Sequence, residues 1–134
     1  MNTKKTDKTS RAWRSICPIA RSLDLVGDKW SLLLIRDMRF GKRTYGELLD
    51  SPERIPTNIL ADRLKRLEEA GIILSSAYQD RPVRYAYTLS QKGADLGNVL
   101  LALVRWGETN IPGSRALRRL APTSRRKVRA SRAK

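Results

Sequence analysis

The sequence predicts a mainly α fold carrying one small β-hairpin, α+β in class. Three observations lead there. Apolar residues recur at helical spacing through most of the chain, in runs separated by Gly or Pro. Residues 72–89 are instead rich in β-branched and aromatic side chains and are divided by Gln79-Asp80-Arg81-Pro82. Finally, 134 residues with 40% hydrophobic content have room for one modest core and some tail.

After a polar arm, Cys17-Pro18 opens a first helix with Ile19, Leu23 and Val26 on one face. Pro18 suits the first turn, where its missing N–H costs nothing, and Gly27 ends the run. Asp28 is placed to cap a second helix, whose Trp30, Leu33, Leu34 and Met38 face one way while Leu32 and Ile35 widen the apolar surface. This should be the buried helix. Phe40-Gly41 breaks the pattern, and Thr44 can cap a short helix carrying Tyr45, Leu48 and Leu49 before Ser51-Pro52 interrupts again.

Ile55-Pro56-Thr57 starts the next helix, with Leu60, Leu64 and Leu67 at i, i+4 and i+7 and Gly71 as the stop. Ile72-Ile73-Leu74 reads as a strand, residues 79–82 as a turn, and Val83 to Leu89 as a second strand. Ser90 can cap a last helix in which Leu96, Val99, Leu100 and Leu103 form one stripe while Leu101 and Val104 lie well round the cylinder. One stripe can be core; the other needs a partner. Short helix, turn, longer polar-faced helix and basic hairpin follow one another over residues 44–89, and that order is the plan of a winged helix-turn-helix. The division expected is a basic arm over 1–15, a winged-helix domain over 16–110 and a basic, disordered tail over 111–134.

The formal charge of +15 is unevenly placed: +4 over residues 1–16, +2 over 17–110 and +9 over 111–134. Such ends grip phosphates without reading sequence, and their composition fits solvated disorder equally well. One cysteine excludes an internal disulfide, and the lack of histidine removes the usual Cys/His zinc clusters and His-based triads. Carboxylates such as Glu47, Asp50 and Asp62 have no accompanying phosphate loop or metal-ligand spacing, so no catalytic residue, metal or cofactor is expected. The N-terminal arm has no apolar signal core and the longest aliphatic run is Leu32-Leu33-Leu34-Ile35, which points to the cytoplasm and to no membrane partner.

A helix that enters the major groove needs an apolar face to fix it and an opposite face able to reach bases and phosphates. At about 100° per residue, Asn58, Asp62, Lys65 and Glu69 cluster opposite the leucines, with Thr57 and Ala61 flanking. Asn58 suits an adenine edge, Lys65 a guanine or phosphate, and the Ala61 methyl a thymine, while Asp62 could accept from cytosine or orient Lys65. Arg63 is expected on the DNA backbone, and Thr44 joins the contact set from the preceding helix. Arg81 and Arg84 flank Pro82 and can project from the hairpin tip into a minor groove. The bland alternatives are a solvated helix face and a charged, soluble edge. Tyr85 and Tyr87 are expected to pack. Cys17 reads either as a thiol activated by a helix dipole or as a small buried apolar residue. A ligand pocket between the first, second and last helices, near Trp30 and Trp106, is open as well, although the same residues make an ordinary core or dimer seam.

Several separated motifs occur in order: Cys17-Pro18-Ile19, Gly27-Asp28-Lys29-Trp30, Ile55-Pro56-Thr57-Asn58-Ile59-Leu60, Arg63-Leu64-Lys65-Arg66-Leu67-Glu68, Gly71-Ile72 and Tyr87-Thr88-Leu89-Ser90-Gln91-Lys92-Gly93. Over residues 17–106 the chain thereby resembles the HxlR family of bacterial transcriptional regulators. The resemblance implies a winged-helix homodimer joined through its first and last helices, here at Ile19, Leu23, Leu100, Leu101 and Val104. It implies two recognition helices on successive major grooves of an inverted repeat in double-stranded DNA. It also places Cys17 where some members carry a thiol that senses oxidants or electrophiles. The basic tail over 115–134 is longer than the family pattern, and with one cysteine a disulfide switch would have to join subunits or use a small thiol. The expected function is a sequence-specific regulator, a repressor acting by promoter occupancy and answering to an oxidant, an electrophile or a small ligand. The alternative is a non-specific architectural nucleic-acid-binding protein.

Overall fold

The computed structural model describes residues 12–117; most of the expected basic arm and of the expected disordered tail lie outside the described residues. The elements run α1 (Pro18–Val26), α2 (Ser31–Arg39), α3 (Tyr45–Leu49), α4 (Thr57–Glu69), β1 (Ile73–Asp80), β2 (Val83–Leu89), α5 (Gln91–Ala94) and α6 (Gly97–Asn110). They form a mainly helical fold with one antiparallel hairpin, the winged helix-turn-helix plan.

The core is built where the helical stripes converge. Leu34, Ile35 and Met38 from α2, Leu48 from α3, Leu60, Leu64 and Leu67 from α4, Ile72 and Ile73 at the hairpin base, and Val26 and Leu100 at the two ends are all buried. Full burial of such a side chain stabilises by about 1.5–3 kcal/mol. α2 is the most buried helix, as its all-round aliphatic content suggests, but its inward face is Ser31, Leu34, Ile35 and Met38. Leu33, expected inside, stays half-exposed, because the i, i+3, i+4, i+7 stripe that faces α3, β2 and α6 runs one position further round.

Helix ends follow the local chemistry. Cys17 precedes α1 with Pro18 in its first turn, and Gly27 closes it. Although Trp30 is the residue that flanks α2, Asp28 supplies the cap: its Oδ2 accepts from the N–H groups of Trp30 and Ser31, both at 3.0 Å, and its Oδ1 from the Ser31 hydroxyl at 2.6 Å. Gly71 takes φ +76° just past α4, the left-handed geometry a tight helix stop requires.

Three elements depart from expectation. β1 runs eight residues, well beyond Leu74, since the polar stretch from Ser75 onward pairs with β2 whatever its side chains, backbone pairing being decided by the partner strand. A bulge between Ala77 and Gln79 leaves Tyr78 unpaired. The last helix is divided: Ser90 caps only the short α5, accepting from the Gly93 N–H at 3.1 Å, and α6 starts afresh at Gly97. Gly93 is needed there, because a Cβ would lie 2.1 Å from the Ile72 carbonyl oxygen. Tyr87 is half-buried against the core, whereas Tyr85 is 46% exposed and does not pack as expected.

Leu100 also moves role. It is buried in the protomer's own core, because its place one turn into α6 faces α2, and so it is not a free dimerisation residue. The uncovered stripe of α6 is Val99, Leu103 and Trp106, at 43%, 50% and 61% exposure. Leu101 and Val104 are half-buried, while Ile19 and Leu23 of α1 are exposed as expected. Among the described residues no helix is long and apolar enough to cross a membrane.

Candidate nucleic-acid interface

The helix pair α3–α4 is held by polar contacts at each joint. Thr44 and Glu47 form a reciprocal capping box, with Thr44 Oγ1 accepting from Glu47 N at 3.2 Å and Glu47 Oε1 accepting from Thr44 N at 3.1 Å. A further bond from Arg43 N helps hold the Glu47 carboxyl below its ordinary range. Tyr45 Oη then donates to the Thr57 carbonyl at 3.0 Å, tying α3 to the first turn of α4. The intervening turn is clamped from α2: Arg36 donates to both oxygens of Glu53 at 2.8 Å, a bidentate pair that lowers the glutamate pKa and raises that of the arginine. Arg54, with φ +59°, turns the chain into Ile55 and Pro56.

With Leu60, Leu64 and Leu67 facing inward, α4 presents Thr57, Asn58, Ala61 and Lys65 to solvent. These four stand where the sequence places them. Asp62 and Arg63 do not behave as expected. The Arg63 side chain is only 17% exposed and donates from Nε to Asp28 Oδ2 at 2.8 Å, with a second ion pair to Asp62. It is turned back toward the α1–α2 corner rather than out toward a phosphate. Asp62 accepts from Arg63 and, one turn on, from Arg66 at 3.2 Å, so it orients those two arginines and not Lys65. Thr44 is likewise committed to its cap.

At the hairpin tip Arg81 and Arg84 are exposed, and with Lys65 and Arg54 they make no ion pair among the described residues. Unpaired cations thus stand at the helix, the turn and the wing, the arrangement that an anionic duplex would neutralise. Arg54, Arg66 and Tyr45 are not among the contact residues expected from the sequence. Arg54 carried a readable signal as a cation inside the helix-turn-helix turn, while the other two depend on side-chain direction.

Cys17 is exposed at the start of α1, its N–H donating to Ser15 Oγ at 3.0 Å, which removes the reading of a buried apolar residue. An open groove of about 770 Å³ lies between α1 and the C-terminal half of α4, bordered by Trp13, Asp24, Asp28, Arg66, Glu69 and Lys92. Neither Trp30 nor Trp106 borders it: Trp30 packs against the core and Trp106 is exposed.

Residues 25–115 match the family described as HxlR-like helix-turn-helix. An uncharacterized HTH-type transcriptional regulator of Synechocystis sp. is 39% identical over 92 residues, covering 69% of this chain and 68% of that one. Another, from Mycobacterium tuberculosis, is 36% identical over 94 residues, and there the chain spans only 59% of the relative's length. Among solved structures, the redox regulator HypR in its reduced form superimposes with a TM-score of 0.66 at 30% identity, over 72% of this chain and 95% of that one.

Proposed function

As the chain belongs to the HxlR-like helix-turn-helix family, we propose that it is a sequence-specific DNA-binding transcriptional regulator that works as a homodimer in the cytoplasm. The observation that carries this reading is α4: three buried leucines fix it, and Thr57, Asn58, Ala61 and Lys65 stand free on its outer face. Asn58 and Lys65 have the donors to read purine edges, Ala61 can touch a thymine methyl, and Arg81 and Arg84 reach the flanking minor groove. The uncovered stripe of α6 and the exposed Ile19 and Leu23 of α1 give a second copy a surface to bury, which would set two recognition helices on an inverted repeat. Repression follows from occupancy of a promoter. Cys17, an exposed thiol, is the site at which an oxidant or electrophile acts, and HypR is a redox regulator by its own description.

Fluorescence anisotropy of the full chain with DNA from upstream of its own gene, against a scrambled duplex and across a salt series, tests the reading. Asn58→Ala and Lys65→Ala should each reduce the preference for the upstream DNA, by about 1–3 kcal/mol for a lost base contact. Equal affinity for both duplexes at every salt concentration would instead support the architectural alternative, in which the charge at the chain ends does the binding.

A further inference from the structure

Asp28 has two sets of partners that belong to different parts of the molecule. Its carboxylate closes the start of α2 through Trp30 N, Ser31 N and Ser31 Oγ, and it also receives Arg63 Nε from the middle of α4, thirty-five residues on. We propose that the Asp28–Arg63 pair is a positioning latch that fixes the roll and tilt of the recognition helix relative to the α1–α2 corner, and that DNA affinity depends on it although neither side chain touches DNA. The proposal rests on the DNA-binding reading above.

The geometry favours a latch over a reserve phosphate contact. Arg63 is 17% exposed and held by carboxylates on two elements, Asp28 and Asp62, the latter also steadying Arg66 on the next turn. Nearly half-exposed Asp62 could follow Arg63 outward, but Asp28 cannot, being bound to the first turn of the most buried helix. The leucine stripe sets how deep α4 sits. An off-axis ion pair with a fixed anchor, at the middle of the helix, adds a constraint on rotation about its axis. A recognition helix rolled by a few tens of degrees would present Asn58 and Lys65 out of register with base edges.

The two duties of Asp28 can be separated. Asparagine caps a helix about as well as aspartate but offers Arg63 no charge, so Asp28→Asn keeps the cap and reduces the latch from an ion pair to a hydrogen bond with a neutral acceptor, while Arg63→Met removes the guanidinium and keeps the apolar stem. In the anisotropy assay with the full chain, each variant should bind its upstream DNA about tenfold more weakly, and the double variant should fall well short of the roughly hundredfold loss that independent effects would give, since both disrupt the Asp28–Arg63 pair. The slope of log Kd against log salt should stay unchanged, because no phosphate contact is lost. The latch is overturned if Asp28→Asn binds as tightly as the wild type or more tightly while Arg63→Met lowers the salt slope by about one, the signature of an arginine on a phosphate. Backbone amide shifts of the DNA-free chain keep the test independent of operator recognition: Asp28→Asn should move the resonances of residues 57–69 while near-UV circular dichroism shows the protomer still folded. Unmoved α4 resonances would sink the proposal even if the wild type showed no DNA preference, whereas absent preference with moved resonances would sink the functional reading and leave the latch standing.

Discussion

In the homodimer proposed above, replacing Trp106 by alanine should break the association while leaving the protomer folded. The indole is 61% exposed in the single chain, which for a side chain able to bury about 250 Å² leaves roughly 150 Å² for a second copy. If half of that is covered on association, burial at roughly 25 cal/mol per Å² contributes about 2 kcal/mol for each indole. A symmetric interface uses both, so the substitution removes about 4 kcal/mol and raises the dimer dissociation constant roughly a thousandfold. Sedimentation velocity across a concentration series measures this directly, and near-UV circular dichroism with a thermal melt checks that the protomer is intact. An inverted-repeat duplex should then be bound with lower apparent affinity and without the steep concentration dependence of a preformed dimer. Wild-type association by the Trp106→Ala chain would show that α6 is not the interface and would refute the argument from its exposed stripe.

Two further outcomes follow from the core and from Asp28. Partial burial pushes the Asp28 carboxyl upward, but the bonds from Ser31, Arg63 and Trp30 outweigh it and hold the group at about 2 against an ordinary 3.8. A depressed carboxyl contributes stability that is complete above the unfolded value and is lost as pH falls through the folded one. The urea midpoint of the wild type should therefore drop between about pH 4 and pH 2 more steeply than that of Asp28→Asn, and parallel curves would contradict the assignment. Gly93→Ala should lower the melting temperature sharply, since the new methyl would lie 2.1 Å from the Ile72 carbonyl oxygen and overpacking against backbone costs about 1–3 kcal/mol or more. A neutral melt would mean that the α5 turn relaxes freely.

Much of the fold was legible because its helix ends are written in local chemistry. Thr44, Ser90, Gly27 and Gly71 each specify a cap or a stop from their own side chain or lack of one. The leucines of α4 likewise gave the inner face by spacing alone, and with it the outward set of Thr57, Asn58, Ala61 and Lys65. Arg63 was not legible. Its position on the cylinder is compatible with either direction, and the partner that decides lies thirty-five residues away in the corner before α2. The same limit explains Leu100 and Trp106, since which of two stripes on α6 meets the core depends on how α2 presents itself. The polar half of β1 carried no periodic signal of its own and was organised by β2.

The hairpin is joined to the helix pair by more than its own connection. Thr44 bridges to Ala86, Tyr87 N donates to the Arg43 carbonyl at 2.8 Å, and Tyr45 Oη meets the Thr57 carbonyl at 3.0 Å. Strand, short helix and reading helix are thereby pinned at one knot of backbone beside Thr44. Built in this way, wing and helix resemble a caliper whose opening is set by these contacts. On the DNA-binding reading proposed above, a duplex would have to bring its adjacent grooves to that gauge, so sequences that twist or narrow easily would be preferred even at base pairs no side chain reaches.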